Sequence, residues 1–90
     1  MNVRVRLFAR ARELAMRDTL DLELPAGATI ADLCRQLVAV CPGLEPLLHI
    51  SAFAVNDEFA DDPQMPLPSS AEVAVLPPVS GGQNKRNVKS

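Results

Sequence analysis

Ile30, Leu33, Cys34, Leu37, Val38 and Cys41 recur at helical spacing and form one apolar stripe, while the segments on either side alternate apolar and polar residues with period two. An apolar stripe has to be buried, and half-apolar strands offer the face to bury it on. The chain is therefore constrained to one main helix lying on one sheet. Thr29 is a good N-cap, and Asp32 three residues on gives a weaker version of the capping box; Pro42-Gly43 stops the helix.

Ahead of that helix, residues 2–9 read as a strand with Val3, Val5 and Leu7 on one face and Arg4, Arg6 and Phe8 on the other. Residues 19–24 repeat the pattern with Leu20, Leu22 and Leu24, and end at Pro25-Ala26-Gly27. The helix formers in residues 10–16 predict a short helical turn inserted between these two hairpinned strands. Beyond the helix, residues 44–49 are apolar and interrupted by Pro46, which predicts a turn of helix or an irregular crossover. Residues 51–55 read as a third strand ended by Asn56-Asp57, a pair that tolerates left-handed turn conformations. Residues 58–62 predict a very short edge strand, and 63–70, with three prolines and two serines, a surface loop. The last strand, 72–76, sets Val73 and Val75 against Ala74 and Leu76.

This order is met by an α+β fold of the β-grasp (ubiquitin-like) class, a mixed sheet of four to five strands with one main helix packed on one face and the first and last strands central. In that arrangement Phe8 and Leu76, both out of phase with the buried residues of their strands, come side by side on the open face. Phe59, just past a hairpin turn, can join them. Lone exposed apolar residues are common, but three together beside a chain terminus predict an interface.

Ninety residues make one small domain, expected to span 1–82, with a disordered basic tail over 83–90. Three Phe and no Trp or Tyr leave no aromatic platform for stacking bases, and a net charge of −2 argues against a nucleic-acid partner. Lys85, Arg86 and Lys89 lie in the tail, which leaves six of the nine basic residues against all eleven acids in residues 1–82, a net charge of −5. An acidic body favours partners with basic surfaces. No apolar run approaches membrane-spanning length and no signal-peptide core opens the chain, so the expected location is cytoplasmic, with no membrane partner. Cys34 and Cys41, two helical turns or roughly 10 Å apart, are too distant for a disulfide and read as small core residues. His49 is the only histidine and has no nearby Cys or His, so no metal site is expected.

The last strand runs into Pro77-Pro78-Val79-Ser80-Gly81-Gly82. Two prolines remove two backbone donors and make a stiff, unpaired arm. A Gly-Gly pair is ordinarily a turn or linker. Strand, Pro-Pro, small residues and Gly-Gly in that order near the terminus instead suggest a thin tip that can thread a narrow cleft and present a carbonyl group there.

Val5-Arg6-Leu7-Phe8-Ala9 with Arg12-Glu13-Leu14, Ala54-Val55-Asn56, Glu72-Val73-Ala74 and the Pro-Pro-Val-x-Gly-Gly end resemble the MoaD/ThiS family of ubiquitin-like sulfur carriers. The similarity is greatest to its molybdopterin synthase branch and covers residues 2 to 82. The resemblance implies a carrier cycle in molybdenum cofactor biosynthesis. An E1-like activating enzyme uses ATP to adenylate Gly82, a sulfur donor displaces AMP to leave a thiocarboxylate, and the arm then delivers sulfur to a pterin precursor in the large subunit of molybdopterin synthase. The carrier is itself a non-catalytic subunit and binds no cofactor. Carried over, Gly82 holds the activated carbonyl, Gly81 gives the thin approach, and Phe8, Arg12, Phe59, Leu76, Pro77, Pro78 and Val79 meet the partner. Family members in this role end at Gly-Gly, whereas this chain continues, which predicts a peptidase that removes residues 83–90. Two alternatives stay open: a sulfur carrier for thiamine thiazole, cysteine or tRNA thiolation, and a ubiquitin-like modifier or interaction domain.

Overall fold

The computed structural model describes residues 1–78; the readings that fall on Val79, Gly81, Gly82 and the tail lie outside the described residues. The order is β1 (Asn2–Leu7), α1 (Ala9–Ala15), β2 (Thr19–Glu23), α2 (Ile30–Val40), a 3-10 turn (Pro42–Leu44), α3 (Glu45–Leu48), β3 (Ala52–Val55), β4 (Glu58–Ala60) and β5 (Glu72–Leu76). The five strands form one mixed sheet in the order β2-β1-β5-β3-β4, with β1 and β5 parallel and the other pairs antiparallel. This is the β-grasp fold.

Alternation decides what is buried. Val3, Val5 and Leu7 of β1, Leu20 and Leu22 of β2, and Val73 and Val75 of β5 form the core face, and α2 covers it with Ile30, Leu33 and Leu37. The other half of the helical stripe, Cys34 and Val38, packs at the margin of the core with Cys41. Cys41 is not within the helix but is its C-cap, and it also precedes the 3-10 turn. Burial pushes the Cys34 thiol up, as expected for a packing residue and not a nucleophile. Converting both cysteines together to Ala or Val should cost less than about 1.5 kcal/mol by thermal melting and leave intact the sulfur transfer that the resemblance implies. Loss of transfer in a folded double variant would give a cysteine a chemical role.

The helix start is stronger than its sequence suggests. Thr29 Oγ1 accepts from the Asp32 amide at 3.2 Å, and Asp32 Oδ2 accepts from the Thr29 amide at 2.9 Å, a complete reciprocal box. The Thr29 backbone hydrogen bond is the main cause holding the Asp32 carboxyl below the usual carboxylate range, and Arg35 assists. A depressed folded-state pKa gives stability that is present above the unfolded carboxylate pKa and lost as pH falls through the folded value. Thr29→Ala should therefore destabilise the domain by about 1 kcal/mol, read as a fall of about 4–8 °C in thermal midpoint. Asp32→Asn should flatten the acid limb of the stability curve.

Two strand ends fall short of the sequence reading, and the crossover takes one of its two expected forms. The first strand stops at Leu7 and not at residue 9, because Ala9 takes φ +51° and turns the chain into α1 with Phe8 as N-cap. The crossover after α2 takes the expected turn of helix, α3, preceded by the 3-10 turn; together they bury Leu44 and Leu48 at the end of α2. The edge strand ends at Ala60. Asn56 and Asp57 adopt φ +50° and +71°, the doubly left-handed turn that suits the twist of a two-residue hairpin. The Asn56 amide donates to the Glu72 carbonyl at 2.8 Å, and its Oδ1 accepts from the Glu72 amide at 2.9 Å, which clips the β3–β4 hairpin to the start of β5.

Candidate docking face and carrier arm

The arm leaves from an interior strand. β5 lies between β1 and β3, so its last residue, Leu76, is held on one side by its pairing with Ala52. Pairing then ends at half-buried Pro77 and exposed Pro78, which have no amide protons to continue it. The arm thus begins from a fixed point in the sheet.

The face of the sheet away from α2 divides into a charged half and an apolar half. On the β2–β1 side it carries Asp21 and Arg4, ion-paired at 3.3 Å, and Arg6. On the β5–β3–β4 side the register aligns Ala74 with Ala54 and Ala54 with Phe59, one row across three strands, and Leu76 with Ala52 in the next. Arg6, paired with Ala74, closes the first row. Three alanines make a shallow floor, and Phe59 stands beside it 74% exposed. Phe8, one residue past the Leu7–Val75 pair, is half-buried, and the Arg6 guanidinium lies over its ring at 5.2 Å from the centroid. That cation–π contact holds the Phe8 ring against the side chain of an open-face residue, at the level of Leu76.

The structure thus gathers Phe8, Phe59 and Leu76 around one apolar surface next to Pro77 and Pro78. Arg12 lies apart from these rows, exposed on α1 behind the buried Ala11. Sequence reasoning did not single out Ala52, Ala54 and Ala74, or the Arg6 contact. The available signal was that alanine occupies three outward positions where polar residues are usual on a half-exposed sheet.

The profile of the ThiS family matches residues 5–82, so the match closes on Gly82 and leaves the tail outside. Curated relatives described as molybdopterin synthase sulfur carrier subunits include one from Arabidopsis thaliana, 37% identical over 91% of this chain and 84% of its own length. Another from Chlamydomonas reinhardtii is 36% identical over 91% of this chain and all of its own length. Among solved structures, SAMP1 of Haloferax volcanii, a small archaeal modifier protein, superposes with a TM-score of 0.83 at 28% identity, covering 91% of this chain and all of that one. A chain from the complex of subunits 1 and 2 of the molybdopterin-converting factor of Helicobacter pylori aligns with a TM-score of 0.66 at 28% identity, again over 91% and 100%. With the family match running from within β1 to Gly82, and with relatives above 30% identity over most of their length, this chain belongs to the ThiS family of β-grasp proteins and is a homologue of the molybdopterin synthase sulfur carrier subunits.

Proposed function

We propose that this chain is the sulfur-carrier subunit of a molybdopterin synthase, with Gly82 as the carrying residue. The observation that supports this most is the family match that ends on Gly82, a few residues after the proline exit from β5. In the cycle, a Gly82 carboxylate oxygen attacks the α-phosphate of ATP on an E1-like enzyme and pyrophosphate leaves. The sulfur donor adds to the acyl carbon, AMP departs with the electron pair, and a thiocarboxylate remains. In transfer the thiocarboxylate sulfur bonds to a carbon of the pterin precursor, water then cleaves the acyl–sulfur bond, and Gly82 is released as a carboxylate while the sulfur stays on the pterin. ATP is a co-substrate of the activating enzyme, and the carrier needs no bound cofactor of its own. These reactants belong to the cytoplasm, and among the described residues no helix is long and apolar enough to cross a membrane.

The partner in transfer is the large synthase subunit, by analogy with the two-subunit Helicobacter complex. The alanine floor, Phe59, Leu76 and Phe8 meet it, Arg12 adds a separate contact from α1, and Pro77, Pro78 and Val79 direct Gly81 and Gly82 into its cleft. Glycine suits a narrow path because it carries no β-carbon. Incubating a chain ended at Gly82 with an activating enzyme, ATP and a sulfide source should exchange one oxygen for one sulfur in the intact mass, with the change mapping to Gly82. An unchanged mass under conditions that charge an authentic carrier contradicts the reading. The likeness to SAMP1 favours one second reading, a modifier whose Gly82 is joined to an amine of another protein.

A further inference from the structure

All six cationic side chains in residues 1–82 are arginines: Arg4, Arg6, Arg10, Arg12, Arg17 and Arg35. The only lysines, Lys85 and Lys89, lie beyond Gly82. The two residue types differ in chemistry toward an activated acyl group. A lysine amine, with a pKa of about 10.4, has a small neutral fraction at neutral pH that can attack such a carbon. A guanidinium stays protonated and offers no lone pair.

The body's terminal amine and two thiols are restrained. The Met1 amine donates to the Leu24 carbonyl at 2.5 Å and lies 3.5 Å from Glu23 Oε2, where the Met1 side chain is 11% exposed. Cys34 and Cys41 are half-buried, and burial keeps Cys34 in the thiol form. Surface arginines, by contrast, do all the electrostatic work that lysines commonly share, as in the Arg4–Asp21, Arg10–Glu13 and Arg35–Asp32 pairs.

We propose that this body is a one-way acyl donor: it carries an activated Gly82 without offering an acceptor amine to itself or to a second copy, and cleavage after Gly82 removes both lysines in the step that frees the carboxylate. The proposal rests on the reading that Gly82 is the activated residue. In the reaction avoided, a neutral amine adds to the Gly82 carbonyl, the bond to AMP or to a thiol breaks with the electron pair leaving on that group, and the nitrogen loses a proton. The amide formed is a poor acyl donor, so each such event would end a carrier. If Gly82 is instead joined to other proteins, the same composition limits the product to single attachments without chains.

The test needs no activating enzyme. Among the described residues every buried core residue lies between Val3 and Val75, so a chain ended at Gly82 retains that core. Prepared as a C-terminal thioester of a small thiol and concentrated in mildly alkaline buffer, the wild-type body should hydrolyse to monomer with no amide-linked dimer by intact mass. Arg17→Lys and Arg35→Lys, both at exposed positions away from the docking face, should form amide-linked dimers under the same conditions. Free lysine added to each should capture the acyl group equally. Wild-type dimers at the variants' rate would overturn the proposal, as would lysine variants that stay monomeric while free lysine reacts. Because the thioester is installed chemically, failure of an activating enzyme to charge Gly82 counts against the carrier reading and not against this one.

Discussion

Phe59→Ala should weaken association with the large synthase subunit by about one to two orders of magnitude while leaving the melting temperature of the isolated protein almost unchanged. Burying one large apolar side chain contributes roughly 1.5–3 kcal/mol, and each 1.4 kcal/mol or so is tenfold in affinity. At 74% exposure Phe59 has little to lose in the free protein and much to bury in a complex. Ala74→Glu is the harsher test, since it sets a carboxylate in the middle of the alanine floor between Arg6 and Ala54, where a docked partner would strip it of water. Its expected effect is loss of measurable binding by titration calorimetry with the fold retained by circular dichroism. Phe8→Ala should reduce affinity as Phe59→Ala does, with some loss of stability because its ring is half-buried under Arg6. Unchanged affinity in all three variants would move the docking surface elsewhere.

The second large effect concerns the tail. In the ninety-residue chain the Gly82 carbonyl is tied in an amide to Gln83 and cannot attack ATP as a carboxylate. An amide nitrogen is also a far poorer leaving group than AMP, and Lys85, Arg86 and Lys89 would be costly to desolvate in a narrow cleft without partners. The ninety-residue chain should therefore take up no sulfur in an assay where a chain ended at Gly82 is charged to completion, and a peptidase that cuts after Gly82 should restore charging. Equal charging with the tail attached would refute this latency. Failure of both forms would favour the interaction-domain alternative.

Most of the sheet was legible because period-two alternation and burial report the same thing. Val3, Val5 and Leu7 could face only the core, and the helical stripe from Ile30 had only one surface to cover. The Asn56-Asp57 turn was readable for a different reason: these side chains are among the few that tolerate positive φ. Ala9 has no such preference, so the left-handed residue that ends β1 early and makes Phe8 a cap was invisible in the sequence. The 3-10 turn was likewise not legible, whereas the helical turn α3 was one of the two forms expected there, Pro46 at the second position of a helix being compatible with it. In the candidate site the large residues announced themselves by being out of phase. The alanine floor did not, because alanine is unremarkable one strand at a time and becomes a surface only when the register aligns Ala74 with Ala54 and Ala52 with Leu76.

Single-turnover sulfur transfer tests the central claim most directly. The chain ended at Gly82, charged as a thiocarboxylate, is mixed with the large synthase subunit and the pterin precursor, and the carrier's intact mass is followed together with dithiolene formation. The account predicts that the sulfur leaves Gly82 in proportion to dithiolene formed, and that Ala74→Glu, charged equally well chemically, retains its sulfur. A charged wild-type carrier that keeps its sulfur in the presence of a competent large subunit would contradict the assignment to molybdopterin synthesis.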